Sequence, residues 1–290
     1  MVDVLSAAVD IAFNGLAFAM VLYLISVGLS VTMGLMGFVN LAHGVFAMAG
    51  GYVVTSLMKL WGVPFPLALI GAALAVAAAS VPMERLLYRR FYGGDELDQV
   101  LLTIGLAFMS VAGATYIWGP VQQPLQPPQW LSGPIDLGFH RFPAYRTFLI
   151  FCGAALVTAL WFGVERTRFG ARLRAAVDNP RMAQSVGIDT SRLFMATFAL
   201  GSGLAGLGGA LGADLLAVNP GYALQNLIYF LIVVAVGGLG SIRGPFFAAL
   251  LLGIADTASK YLVPEFGAFF IYALTLAVLL WRPYGLFGRA

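Results

Sequence analysis

Charge is what this chain has least of. Asp, Glu, Lys and Arg supply 10% of its 290 residues, against 60% hydrophobic, and the mean hydropathy is +0.90. Soluble domains run near a quarter charged, so a water-soluble globule is excluded and a protein that crosses a membrane several times is implied. Lysine is nearly missing: there are only Lys59 and Lys260. Neither sits in a G-x-x-x-x-G-K-[ST] run, so this chain is not expected to hydrolyse ATP by itself. The single cysteine, Cys152, lies in an apolar run, which excludes a disulfide framework and a thiolate metal site and leaves a small packing residue. No H-E-x-x-H, C-x-x-C or G-x-S-x-G occurs, and Gly201-Ser202-Gly203 has the wrong spacing for a hydrolase elbow. The expectation is no enzyme, no metal, no cofactor bound by this chain and no nucleic-acid partner. The N-terminus carries Asp3 and Asp10 where a cleaved signal would be basic, so the first helix is expected to be retained.

What is present is hydrophobic runs. About 20 apolar residues cross the hydrocarbon layer, and that length with Gly, Pro and charge breaks marks segments near 10–33, 40–58, 64–83, 99–118, 145–164, 191–213, 223–241, 244–262 and 266–282. The reading is an all-α polytopic bundle of eight or nine membrane segments, one domain over 1–290. Segment 40–58 is short and Gly-interrupted, so a broken or re-entrant helix is an open alternative. With nine crossings, 12 of the 16 basic residues fall on one face: Arg85, Arg89, Arg90, Arg166, Arg168, Arg172, Arg174, Arg181, Arg192, Arg243, Arg282 and Arg289. The positive-inside rule makes that face cytoplasmic, with the N-terminus outside and the C-terminus inside. Dropping the 40–58 crossing would move Arg85–Arg90 to the other side. The outward loop 119–144 is proline-rich, which suits a stiff cover. Trp118 and Trp130 suit the membrane interface, and His140 in this loop reads as solvated.

Polar groups at membrane depth each need a reason. Asn40 and His43 are three residues apart, one helical turn, with Asn40 placed to cap the segment. His43 reads either as a helix-packing hydrogen bonder or as part of a solute path. Asp214 and Asn219-Pro220 close the sixth segment. Asp256 reads as functional or as half of a buried hydrogen-bonded pair. The glycines crowding 201–212 and 237–244 favour close helix approach, and the GGLGSIRGP turn allows a tight hairpin.

The longest charged run, 165–190, is the exception in an oily chain. Asn179 as N-cap with Pro180 at the first helical position, and Gly187 as the stop, define one helix of about two turns. Met182 and Val186 are expected to stack at i,i+4, with Arg181, Gln184 and Ser185 as a polar surface. Asp189, Thr190 and Ser191 can cap the next helix. So short a helix is marginal alone; it is either an amphipathic linker on anionic lipid or a docking helix for a cytosolic partner.

Four ordered stretches carry a resemblance: GFVNLAHGVFAMAGGY (37–52), RTRFGARLRAAVDNPRMAQSVGI (166–188), AVNPGY (217–222) and GGLGSIRGPFFAALLLGIAD (237–256). Over essentially its whole length the chain resembles the branched-chain amino acid ABC transporter permeases, of the subunit type with N-x-A-H-G near its N-terminus. The resemblance implies a bacterial inner-membrane importer subunit working with a second permease, two cytosolic ATPase subunits that bind ATP and Mg, and a periplasmic solute-binding protein. It places the ATPase-coupling helix at Asp178, Asn179, Pro180, Arg181, Met182, Ala183, Val186 and Gly187. The E-A-A-x3-G coupling signature is not met: Ala175-Ala176 lack the preceding Glu. Asn40, His43, Asn219 and Asp256 are candidates for the solute path or its gates. The implied solutes are branched-chain or other hydrophobic amino acids, with urea, short amides and aromatic acids as alternatives. A proton-coupled secondary transporter is the rival class.

Overall fold

A computed structural model describes residues 2–136, 138 and 141–288; His140 and Arg289 lie outside them. All nine segments appear as helix, as the apolar runs require. They are α1 (Val2–Leu35), α2 (His43–Trp61), α3 (Phe65–Leu86), α4 (Glu96–Trp118), α5 (Ala144–Glu165), α8 (Thr190–Leu211), a pair α9 (Tyr222–Gln225) and α10 (Leu227–Gly237), α11 (Arg243–Leu262) and α12 (Gly267–Trp281). Two further helices, α6 (Arg168–Asp178) and α7 (Pro180–Ser185), fill the charged run. Six are long and apolar enough to cross a membrane: α1, α2, α3, α4, α5 and α8. Helix α11 has 20 residues but carries Arg243, Asp256 and Lys260.

The structure decides one open alternative, corrects one segment and adds detail to one loop. Segment 40–58 is a continuous helix from His43 to Trp61, and the irregular backbone is the approach to it, residues 36–42. The interruption falls instead in 223–241. There Asn226 Nδ2 donates to Tyr222 O at 3.0 Å, a side-chain bond that competes with the helical ladder. Helix α10 keeps only 11 residues, a rise of about 16 Å. The 119–144 loop holds a small antiparallel pair, β1 (Pro134–Asp136) with β2 (Arg141–Pro143), closed by an Arg141–Asp136 ion pair at 3.1 Å.

Helix α8 is the hub, packing on α1, α2 and α3, while α11 lies along α1. Glycine sets these distances. A Cβ on Gly50 would overlap Gly206 O, and one on Gly28 would overlap Gly201 O; backbones this close exclude any side chain, and dispersion between them replaces the hydrophobic drive that lipid does not supply. Helices α4 and α5 sit at the rim with few buried residues.

The basic residues do gather at one end. Arg85 Nε reaches Met195 Sδ at 3.0 Å, so the end of α3 meets the start of α8. Arg243 lies 5.0 Å over the Trp161 ring near the end of α5. Ser30 Oγ donates to Ser241 O at 2.9 Å, bringing the end of α1 to the α10–α11 turn. The opposite end joins Trp118 to Ser56, Gln123 to Val218 and Arg146 to Asn14.

Candidate functional site

The N-x-A-H-G stretch is built from an irregular strand of backbone pinned by polar side chains of α4. Val39 N donates to Gln99 Oε1 (2.8 Å) and Leu41 N to Thr103 Oγ1 (3.2 Å). Gln99 is itself held, its Nε2 donating to Phe91 O (3.2 Å) and Gly94 O (3.3 Å). Non-helical backbone among apolar helices survives only where such donors and acceptors are supplied. Asn40 does not cap α2: the N-cap position is Ala42, with no side-chain bond. Nor do Asn40 and His43 share a helical face, because α2 starts at His43; His43 N closes a turn on Asn40 O at 3.3 Å.

Both side chains are fully buried. Asn40 Oδ1 accepts from Tyr88 Oη at 3.4 Å, and burial pushes the Tyr88 phenol up, so it stays a neutral donor. His43 Nε2 is 2.9 Å from Ile25 O in α1. A carbonyl only accepts, so the ring proton is assigned to Nε2 and Nδ1 is left as an acceptor. Among the described residues Asn40 Nδ2 and His43 Nδ1 have no hydrogen-bond partner. Rings surround them: His43 against Phe46, Phe46 and Tyr88 against Phe198, Tyr88 against Phe38. Below the stretch Glu84, buried, is held bidentately by Arg89 at 3.3 and 3.1 Å. Gln99, Thr103, Tyr88 and the Glu84–Arg89 pair were not singled out from sequence. The available signal was the polar i,i+4 pair Gln99 and Thr103 on an apolar helix.

The other two candidates sit apart from this pair; among the described residues no hydrogen bond joins them to it. Asn219, half-buried, donates to Ala217 O (3.2 Å) and Gln225 Oε1 (3.3 Å), bracing the AVNPGY turn. That turn reaches inward, with Ala223 against Gly44 and Val218 against Gly51. Asp256 is the buried half of an ion pair, Lys260 Nζ lying 2.7 Å from its Oδ2, and among the described residues its Oδ1 has no partner. Of its two readings, the pair is what the geometry contains.

At the basic end, α6 and α7 form a small platform. Thr167 caps α6 through Gly170 N (3.4 Å), and Arg174 Nη1 donates to Val164 O (2.7 Å). Asn179 caps α7, accepting from Met182 N at 3.0 Å, with a proline opening the helix. Gly187 has φ +85; Gly187 N bonds Gln184 O and Ile188 N bonds Ala183 O, both at 3.0 Å, the double closure that ends a helix at a left-handed residue. Asp189 caps α8 through Arg192 N at 3.0 Å.

Helix α7 packs on the chain through Ala183, a residue the i,i+4 reading of Met182 and Val186 did not single out for packing. Ala183 is buried with Leu173, Ala176 and Leu193, because the left-handed closure brings Ile188 over Ala183. Met182 and Val186 point away, 63% and 71% exposed, flanked by exposed Arg181, Gln184 and Ser185. Asp178 and Pro180 belong to the helices by backbone, their side chains lying outside the described set. Helix α6 escaped the sequence reading because its arginines mask an apolar stripe of Phe169, Leu173 and Ala176.

Comparisons with known proteins meet this geometry. The chain is 28% identical over 291 residues to the high-affinity branched-chain amino acid transport system permease protein BraD of Pseudomonas aeruginosa, covering 95% of this chain and 94% of that one. It is 27% identical over 290 residues to LivH, the permease protein of the same description in Escherichia coli, covering 96% and 94%. The high-affinity branched-chain amino acid transport system permease protein LivM of Escherichia coli is also similar, 26% identical over 308 residues, with 96% of this chain and 69% of that one covered. No solved structure matches. The family model described as branched-chain amino acid transport system / permease component matches residues 11–279, and the chain therefore belongs to that permease family.

Proposed function

We propose that this chain is the membrane-spanning permease subunit of an ATP-driven importer for branched-chain or other hydrophobic amino acids. The observation that carries the reading is the family match over 11–279 joined to an apolar, solvent-facing α7 surface at the basic end. A chain with no phosphate loop needs a surface through which a separate ATPase can act. In this reading α7 seats in two cytosolic ATP-binding subunits, and the platform with α6 transmits their motion to α8 and hence to α1, α2 and α3. ATP and Mg stay with those partners, and this chain binds no cofactor. The likeness to both LivH and LivM supports pairing with a second permease in a bacterial inner membrane, with a periplasmic binding protein delivering the solute.

The basic end is then cytoplasmic, the N-terminus outside, and the chain makes nine passes, 212–237 counting as one return. Asn40, His43, Asn219 and Asp256 enter as polar groups of the path or its gates. Asn40 and His43 carry the stronger case, because unpartnered polar atoms beside a broken backbone stretch can change partners cheaply. Urea, short amides or aromatic acids are the alternative cargo, separated by binding assays on the secreted binding protein.

The test is uptake into vesicles by the reconstituted complex. ATP-driven uptake that vanishes without the ATPase subunits is expected; uptake by this chain alone under a proton gradient would refute the reading. Arg181→Glu with Met182→Asp should release the ATPases in a pull-down, and unchanged co-purification with unchanged uptake counts against α7.

A further inference from the structure

At the end away from the basic platform, a cavity of about 560 Å³ opens between the ends of α2 and α4 and the first part of the proline-rich loop. Ligand pockets run about 300–1,000 Å³, so the volume suits a molecule of roughly ten heavy atoms with water around it. Its lining mixes polar Lys59, Gln123 and Gln126 with apolar Leu60, Ile117 and Trp118.

The wall is built rather than incidental. Trp118 Nε1 donates to Ser56 Oγ at 2.8 Å, and the buried Tyr52 ring stacks on Trp118 at 4.5 Å and 25°. Gln123 N donates to Val218 O at 2.8 Å and its Nε2 to Trp118 O at 3.2 Å. The loop wall is thereby tied to the segment carrying Asn219. Four basic residues occupy the non-basic side, and three are engaged: Arg141 with Asp136, Arg146 with Asn14, Lys260 with Asp256. Among the described residues Lys59 has no acidic or hydrogen-bonding partner, and it stands in the cavity wall.

We propose that this cavity binds the carboxylate of a small amphipathic solute through Lys59, with the solute's apolar part against Leu60, Ile117 and Trp118. The proposal rests on the permease reading and adds a solute subsite to it. An ammonium on a flexible stem is a point charge suited to one carboxylate, and the glutamine amides can donate to its oxygens or accept from the solute ammonium. Lys59, Leu60 and Ile117 are exposed, so the site is open and binding is weak, as release onward into a path requires. A lipid phosphate shares the anion chemistry, and the experiment separates the two sources.

The assembled transporter is placed in nanodiscs of phosphatidylcholine, with or without phosphatidylglycerol, and leucine and leucinamide binding are titrated by saturation-transfer NMR. Leucine should bind about tenfold more weakly to Lys59→Gln, the loss expected for one charge-assisted hydrogen bond, and within twofold of wild type to Lys59→Arg. Leucinamide, lacking the carboxylate, should bind both proteins alike. Equal leucine affinity in wild type and Lys59→Gln overturns the proposal, as does an equal loss for leucine and leucinamide. Lys59-dependent retention of phosphatidylglycerol without Lys59-dependent leucine binding assigns the cavity to lipid and overturns it too. The permease reading is scored separately: it falls if the wild-type complex shows no ATP-driven leucine uptake, and stands if uptake persists while binding ignores Lys59.

Discussion

Replacing Gln99 by Leu tests whether the broken stretch before α2 is held in place by α4. The side chain makes three bonds: it accepts from Val39 N at 2.8 Å and donates to Phe91 O at 3.2 Å and Gly94 O at 3.3 Å. In membrane proteins a side-chain hydrogen bond contributes about 0.6 kcal/mol on average, so the three together supply about 2 kcal/mol. A half-buried Val39 N–H stranded without water adds about 1–3 kcal/mol, giving about 3–5 kcal/mol if no other acceptor moves in. Leu is close to Gln in volume, so the loss is of bonding rather than packing. Gln99→Glu keeps the acceptor for Val39 N but sets a buried carboxylate oxygen against Phe91 O and Gly94 O, so its loss should be at least as large. The assay is hydrogen exchange of residues 37–42 in the detergent-solubilised protein. A local opening eased by about 2 kcal/mol exchanges about thirtyfold faster. Gln99→Leu exchanging at the wild-type rate, with an unchanged unfolding midpoint, would show that the stretch keeps its shape without α4.

Further outcomes follow from the same contacts. Gly50→Val should cost several kcal/mol in unfolding assays, because its Cβ would overlap Gly206 O and backbone cannot swing aside as a side chain does; a neutral result would mean α2 and α8 sit farther apart. Lys260→Met leaves the Asp256 carboxylate buried without its cation and should destabilise by about 1–3 kcal/mol, toward the lower end because the Lys260 side chain is 53% exposed. Adding Asp256→Asn should recover most of that loss in thermal unfolding, and no recovery would make the pair irrelevant to stability. Asn179→Ala removes the cap bond to Met182 N and should raise exchange across α7 by an amount matching about 1 kcal/mol; unchanged protection would show that the Ala183 contact alone holds the helix.

The nine apolar segments, the basic end and the α7 boundaries were all legible along the chain, because each depends on local matters: run length, charge position, and the Asn179-Pro180…Gly187 signals that satisfy their own backbone. The family resemblance came from the same source, four stretches in order. What faces what was not legible. Periodicity marked Met182 and Val186 as a pair, but could not say that the Gly187 closure would turn Ala183 inward and leave them in water. Asn40 looked like a cap because capping is a local rule; only the packing of α4 shows that Gln99 and Thr103, 60 and 62 residues away in sequence, take over the backbone and free the Asn40 amide. For Asp256 the chain order offered two readings, and the helix supplies the partner that one of them needs, Lys260 one turn on. The cavity around Lys59 had no sequence signature at all, since its walls come from two helix ends and a loop that meet only in the folded chain. Local rules decide which residues form helices; which polar atoms find partners is decided by neighbours distant in sequence.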